Sequence, residues 1–209
     1  MNFSLSFDEN TVSLKNGQTK TVLGLCLRCE PNETKECQFV LQQLKEEYEG
    51  EENIEKYLCL IKVELHVYSK MKKDKDTMIK YRVELSDFYN NVTKYGKGLS
   101  YLSSKLKGGA YAIFCMLLTK AMNEELITSN DTIIVKASGD LDDKDMSGLV
   151  AYYERLGFQQ SDPENLEHHL YELEVPLHAR VETILNYCNY RFDQGHISDE
   201  LSDILRKFM

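Results

Sequence analysis

The sequence predicts a mixed α/β domain, with a central, mostly antiparallel sheet flanked by helices. Three observations predict it. Two neighbouring segments, Tyr57 to Tyr68 and Met78 to Phe88, alternate apolar and polar residues with period two. A helix-length apolar run from Gly108 precedes a short apolar run from Thr132 to Ala137, as a buried helix leading into a buried strand would read. A second amphipathic helix stops at Leu156-Gly157, and Phe158 opens another strand.

The elements follow in order. Phe3, Leu5 and Phe7 alternate with polar residues, and Val12 and Leu14 continue the pattern. Asn16-Gly17 supplies a hairpin turn because both residues tolerate positive φ, and Thr21 to Cys29 forms the returning strand. Lys35 to Tyr48 reads as a helix, with Cys37, Val40, Leu41, Leu44 and Tyr48 at helical spacing, ended by Gly50. In the next hairpin, KMKKDKD reads as a polar linker. One register sets Val63 opposite Val83 and Leu65 opposite Tyr81; it also sets Lys62 opposite Glu84 and Glu64 opposite Arg82. Shifts by two residues keep the same faces and remain open. Residues 89–107 read as mostly loop, and the helix from Gly108 is apolar almost all round, hence buried. After the strand to Ala137 comes an acidic loop, Asp140 to Asp145, then the helix ending at Gly157. Leu170 to Val175 reads as a last strand, broken by Pro176. Val181, Ile184, Leu185 and Cys188 fall at helical spacing, and a final helix starts at N-cap Ser198 and carries Leu201, Ile204 and Leu205.

The 209 residues suit one domain over 1–209, with a core at 57–175 and a helical C-terminal extension at 176–209. Thirty-four acidic residues against 25 basic ones give a net charge of −9. That disfavours nucleic-acid binding, which needs clustered Lys and Arg, and leans toward a cationic substrate. No run approaches the roughly 20 apolar residues of a membrane span. The opening MNFSLSFDEN lacks the basic and apolar regions of a secretory leader. Most of the six cysteines sit in apolar runs, which predicts reduced core thiols in a cytoplasmic protein, with a nuclear location left open. Cys26 and Cys29 form a CxxC, but no second pair completes four ligands, so no metal site is expected. Asp140, Asp142, Asp143 and Asp145 lack calcium-loop spacing, and His168-His169 lacks a third ligand. Cys115, inside an apolar helix, reads as a core residue.

Two motifs carry candidate chemistry. In Lys105-Leu106-Lys107-Gly108-Gly109-Ala110, small residues at a helix start let backbone N–H groups close on a pyrophosphate, with lysines to pair its charge. Tyr95-Gly96-Lys97-Gly98 is a rival set, but a helix starting there would run long before Asp131. The second motif is Tyr152-Tyr153-Glu154-Arg155-Leu156-Gly157-Phe158.

Together, and in this order, these motifs resemble the GCN5-related N-acetyltransferase (GNAT) superfamily. The first resembles its Q/R-x-x-G-x-G/A, with Lys105 in the leading position, and the second its L-Y-x-x-x-G-F. The resemblance covers residues 57–175 well. It implies a GNAT-like fold with an acyl-CoA cleft between splayed central strands. It also implies acetyl-CoA as co-substrate and direct attack by an amine, on a small molecule or a peptide. Cofactor contacts then fall on Val83 and Leu85 through the strand, on Lys105, Lys107, Gly108, Gly109, Ala110 and Tyr111 at the helix start, and on Ser147. Ser147 follows Met146, which stands where many members have an Asn. Tyr153 takes the place of the proton donor to the departing thiolate. Glu84 takes that of the strand carboxylate that frees the amine, with Glu64 second. The alternative is a non-catalytic GNAT-like acyl-CoA-binding or protein-interaction module, and a third reading, independent of the resemblance, is a partner-binding scaffold whose C-terminal helix forms a homodimer face.

Overall fold

Alternation along the chain becomes the two faces of one sheet in the computed structural model, which describes residues 3–29, 59–74, 78–90, 106–138, 146–171 and 173–208. The strands are β1 (Phe3–Ser13), β2 (Thr19–Cys29), β3 (Cys59–Lys73), β4 (Lys80–Asn90), β5 (Thr132–Ser138), β6 (Gln159–Gln160) and β7 (Glu174–Arg180). The helices are α1 (Gly109–Asn123), α2 (Met146–Arg155), α3 (Leu166–Tyr171), α4 (Val181–Asp193) and α5 (Asp199–Phe208). The seven strands form a mixed sheet in the order β1-β2-β3-β4-β5-β7-β6. β4 and β5 run parallel; the other pairs are antiparallel. The expected helix at Lys35 to Tyr48, the acidic loop and the Gly96-Gly98 turn lie outside the described residues.

The first hairpin turns where Asn16-Gly17 predicts. Gly17 has φ 74°, and Leu14 N–H donates to the Gln18 carbonyl at 2.7 Å. In β3, Ile61, Val63, Leu65 and Val67 are buried on the core face, while Lys62, Glu64 and His66 line the other. The register of β3 with β4 differs from the expected one. Val83 pairs with Val67, Leu85 with Leu65 and Glu84 with His66. The reason is that β3 runs through the charged segment read as linker, to Lys73, and two irregularities absorb the difference. In the centre the slip is four residues, from Val63 to Val67 opposite Val83. An even slip preserves both faces, so alternation alone does not detect it. The expected ion pairs do not form. Lys62 Nζ sits 3.0 Å from both Glu64 and Asp87, and Arg82 donates to the Tyr68 and Leu126 carbonyls.

β7 also departs from expectation. Leu170 belongs to α3, and β7 passes through Pro176, which pairs with Lys136. The Pro176 carbonyl accepts from Ser161 N–H at 2.9 Å, so it faces β6. In a strand a residue's N and C=O point the same way, so the missing N–H falls at the end of the two-residue β6 and leaves the β5 ladder intact.

α1 is buried almost all round, as its composition predicts, because it lies on β2 and β3 and is flanked by α4 and α5. Ser198 Oγ accepts from Leu201 N–H at 3.3 Å and caps α5. Leu201 and Leu205 enter the main core, and α5 packs on β1, so the apolar face read as a dimer face is buried within the chain. The cysteines correct another expectation. Cys115 of α1 and Cys188 of α4 form a disulfide, Cys26 is also disulfide-bonded, and no described cysteine is free. Apolar neighbours make a thiol and a half-cystine look alike in sequence. Among the described residues no helix is long and apolar enough to cross a membrane.

Candidate active site

The sheet opens between its two parallel strands. β4 and β5 pair only at Val83↔Ile133, Glu84↔Ile134 and Leu85↔Val135. Past these pairs β4 continues to Asn90 along β3 and β5 to Ser138 along β7, but not paired to each other. The bend has a local cause. Leu85 pairs with Leu65 but Asp87 with Glu64, which leaves Ser86 as an extra residue. Such a bulge kinks its strand and increases its twist. Val83 and Leu85 are buried within the stretch still paired on both sides, so the free edge of β4 begins after them. Ligands of open sheets bind beyond the carboxyl ends of strands, where connections change direction.

Phe88 follows the bulge and turns to the core face opposite Val63. Its ring meets Phe114 of α1 at 5.8 Å, Tyr152 at 6.1 Å and Tyr153 at 6.3 Å. Tyr153 also packs edge-on against Tyr152 and Phe158, both at 5.7 Å. Gly157, at φ 97°, stops α2 and lets Phe158 N–H return to the Tyr153 carbonyl at 3.1 Å. The motif thus pins Tyr153 at both ends. Burial pushes the Tyr153 phenol above its ordinary range, and the neighbouring Tyr152 and Asp87 push it the same way. No described group hydrogen-bonds the Tyr153 hydroxyl, and it is not among the sealed polar atoms lacking a partner. Tyr111 differs: its hydroxyl donates to the Leu156 carbonyl at 3.3 Å, a structural tie between α1 and the end of α2.

Three carboxylates line the face of the sheet away from α1. Glu84 accepts from the Tyr68 hydroxyl at 2.6 Å, with Lys72 Nζ at 3.7 Å. Burial opposes ionisation of Glu64, but hydrogen bonds from Lys62, His66 and Ser86 outweigh it and hold the carboxyl below its ordinary range. Asp87 lies past the last β4–β5 pair, and Lys62 is its ion-pair partner at 3.0 Å. It is the carboxylate whose charge reaches Tyr153.

The glycine turn is filled by the chain itself. Gly108 has φ 75°, and a Cβ there would lie 2.8 Å from the His196 carbonyl and 3.1 Å from Ile197. One on Gly109 would meet Ile61 of β3. Ala110 and Tyr111 are buried, and Lys107 is exposed. Lys105 lies outside the described residues. Ser147 is exposed in the first turn of α2, and Met146 beside it is buried. A cavity of about 350 Å³ lies elsewhere, between α1, α4 and α5 beside the disulfide, and neither Tyr153 nor Asp87 lines it.

The structure therefore packs Tyr153 on Phe88, sets Asp87 beside Phe88 on the opposite face of β4, and leaves Glu84 bonded to Tyr68. Phe88, Asp87 and Lys62 are the residues that sequence reasoning passes over. A signal was present: after Val83 and Leu85 the next core-facing position is Asp87, and the apolar residue comes one later, at Phe88. That slip in phase marks a bulge. Comparison with family models, with curated proteins and with solved structures gives no match.

Proposed function

We propose that this chain has a GNAT-like fold and is an N-acetyltransferase that moves the acetyl group of acetyl-CoA to an amine by direct attack. The observation that carries the reading is the short parallel β4–β5 pair, opening after Leu85 beside a tyrosine hydroxyl that has no hydrogen bond among the described residues. The unpaired edge of β4 has backbone groups to hold an extended pantetheine arm as an added strand would be held. The aromatic rings of Phe88, Tyr152 and Tyr153 exclude water from the opening.

The residue roles follow from position. The amine nitrogen bonds to the thioester carbonyl carbon and the C–S bond breaks. Tyr153 gives its proton to the sulfur, and a phenol kept protonated by burial is suited to that. The amine proton goes to a strand carboxylate. Asp87 is a better acceptor than Glu84, because it lies past the last β4–β5 pair, on the free edge of β4. Glu84 is engaged by Tyr68 and Lys72.

The test is CoA binding by calorimetry, then CoA thiol release across a panel of amines. Tyr153→Phe should lower turnover by about 100-fold while CoA still binds. Asp87→Asn should lower turnover more than Glu84→Gln does. Absence of CoA binding overturns the reading. A second reading, a GNAT-like module without transfer, draws on the filled Gly108-Gly109 turn. CoA binding with no turnover on any amine would favour it.

A further inference from the structure

The cavity of about 350 Å³ between α1, α4 and α5 has two unlike ends. Its inner wall is apolar, made by Met116 of α1, Leu185 of α4, Leu205 of α5 and the Cys115–Cys188 disulfide. That disulfide joins α1 to α4 along the wall, so the two helices are held at a set spacing and the space is formed in advance of any ligand. Two hydroxyls also line it, but both donors are spent on their own helices. Thr119 Oγ1 donates to the Cys115 carbonyl at 2.9 Å, and Ser202 Oγ to the Ser198 carbonyl at 3.1 Å. Water needs several polar partners to be held in such a space, and this wall offers few. An apolar group that displaces poorly held water gains affinity.

Asn189, Phe192 and Arg206 are exposed, which places the mouth between the ends of α4 and α5. The Arg206 guanidinium meets Asp203 at 3.9 Å, and both side chains are largely exposed, so the pair is weak and leaves the fork open to a second carboxylate. Among the described residues no Asp or Glu lines the cavity, in a chain of net charge −9. The Asn189 amide has no hydrogen bond among the described residues and adds a donor at the same rim. An apolar interior with a cationic mouth fits an apolar chain that carries an anionic head. Size sets the length: a cavity of roughly 150 Å³ takes benzene, so this one takes about a dozen heavy atoms, the size of decanoate. We propose that the cavity binds a medium-chain fatty carboxylate, its chain along Met116, Leu185 and Leu205 and its head at Arg206 and Asn189. The site is apart from Tyr153 and does not require acetyl transfer.

The test is calorimetric titration of the whole, oxidised chain with hexanoate, octanoate and decanoate, and separately with 1-octanol. Decanoate should bind, and each methylene removed should weaken binding about fourfold. Arg206→Gln should weaken octanoate about threefold and leave 1-octanol unchanged. Ser202→Leu and Leu185→Phe each put a larger side chain into the space, and each should abolish decanoate binding. A circular dichroism melt matching wild type shows that the loss is not misfolding. No decanoate binding, or decanoate binding unchanged in a filling variant that melts like wild type, overturns the site. Affinity that does not change with chain length overturns the placement of the chain in the apolar interior. 1-Octanol binding as tight as octanoate, with Arg206→Gln affecting neither, overturns the carboxylate assignment. Decanoate binding without CoA binding leaves this site standing and removes the acetyltransferase reading.

Discussion

Tyr68, Tyr81, Tyr111, Tyr152 and Tyr153 all have phenols pushed above their ordinary range, each chiefly by burial. An acid whose folded pKa is raised holds its proton longer when folded. Unfolding releases it once pH passes about 10. Stability from these groups is therefore complete below pH 10 and falls as pH rises toward the folded values, about 12 for Tyr152. Urea denaturation at stepped pH should show a decline beginning near pH 10, with a slope of about 1.4 kcal/mol per pH unit for each such tyrosine. Tyrosinate absorbance should lag in the folded protein over the same range. Glu64 has the opposite sign. Its lowered carboxyl contributes stability above its ordinary 4.5, lost as pH falls through the folded value. Glu64→Gln should therefore lower the urea midpoint at pH 7, and the difference from wild type should vanish in acid. At this scale Tyr153 was legible, because its spacing to Gly157 places it on the last turn of a helix. Asp87 was not, because a single bulged residue, Ser86, decides which side of β4 it takes.

Helices and strands were legible where one period dominates. α1 reads as buried because it is apolar all round, and β3 and β4 read as strands because alternation is unbroken over their centres. Their ends and register were less legible, since charged Lys70 to Lys73 extend β3 without changing its apolar pattern. Pro176 misled for a geometric reason: only the partner strand's length tells whether a missing N–H matters. Two elements can be tested directly. The Cys115–Cys188 disulfide spans 73 residues and ties α1 to α4. A loop of that size stabilises by about 4 kcal/mol through the unfolded chain, so Cys188→Ser should lower the denaturation free energy by that order. Reductant should bring wild type toward the variant. Gly108→Ala places a Cβ 2.8 Å from the His196 carbonyl at φ 75°, and should destabilise by about 1–3 kcal/mol. Hydrogen exchange should locate the loosening in residues 194–201 as well as at the start of α1.

For the molecule as a whole, the mixed class and the succession of elements from β3 to β6 could be read from hydrophobic period and turn residues. The strand order could not, because pairing between β5 and β7, which are separated by α2, β6 and α3, leaves no local trace. Nor could the place of α5, whose amphipathic pattern suits a partner's surface as well as its own core. Leu201 is fully buried there, and Leu201→Ala should destabilise the protein by about 2–5 kcal/mol, read as a lower melting temperature. The packing of α5 on β1 also has a consequence in time. A ribosome makes β1 well before α5, so the apolar face of β1 stays uncovered while the residues between them are added. Phe3, Leu5 and Phe7 pack on the core that Leu201 and Leu205 complete. Contacts so far apart in sequence are slow to close. The early strands are thus exposed to aggregation, and to chaperones, until the final helix arrives.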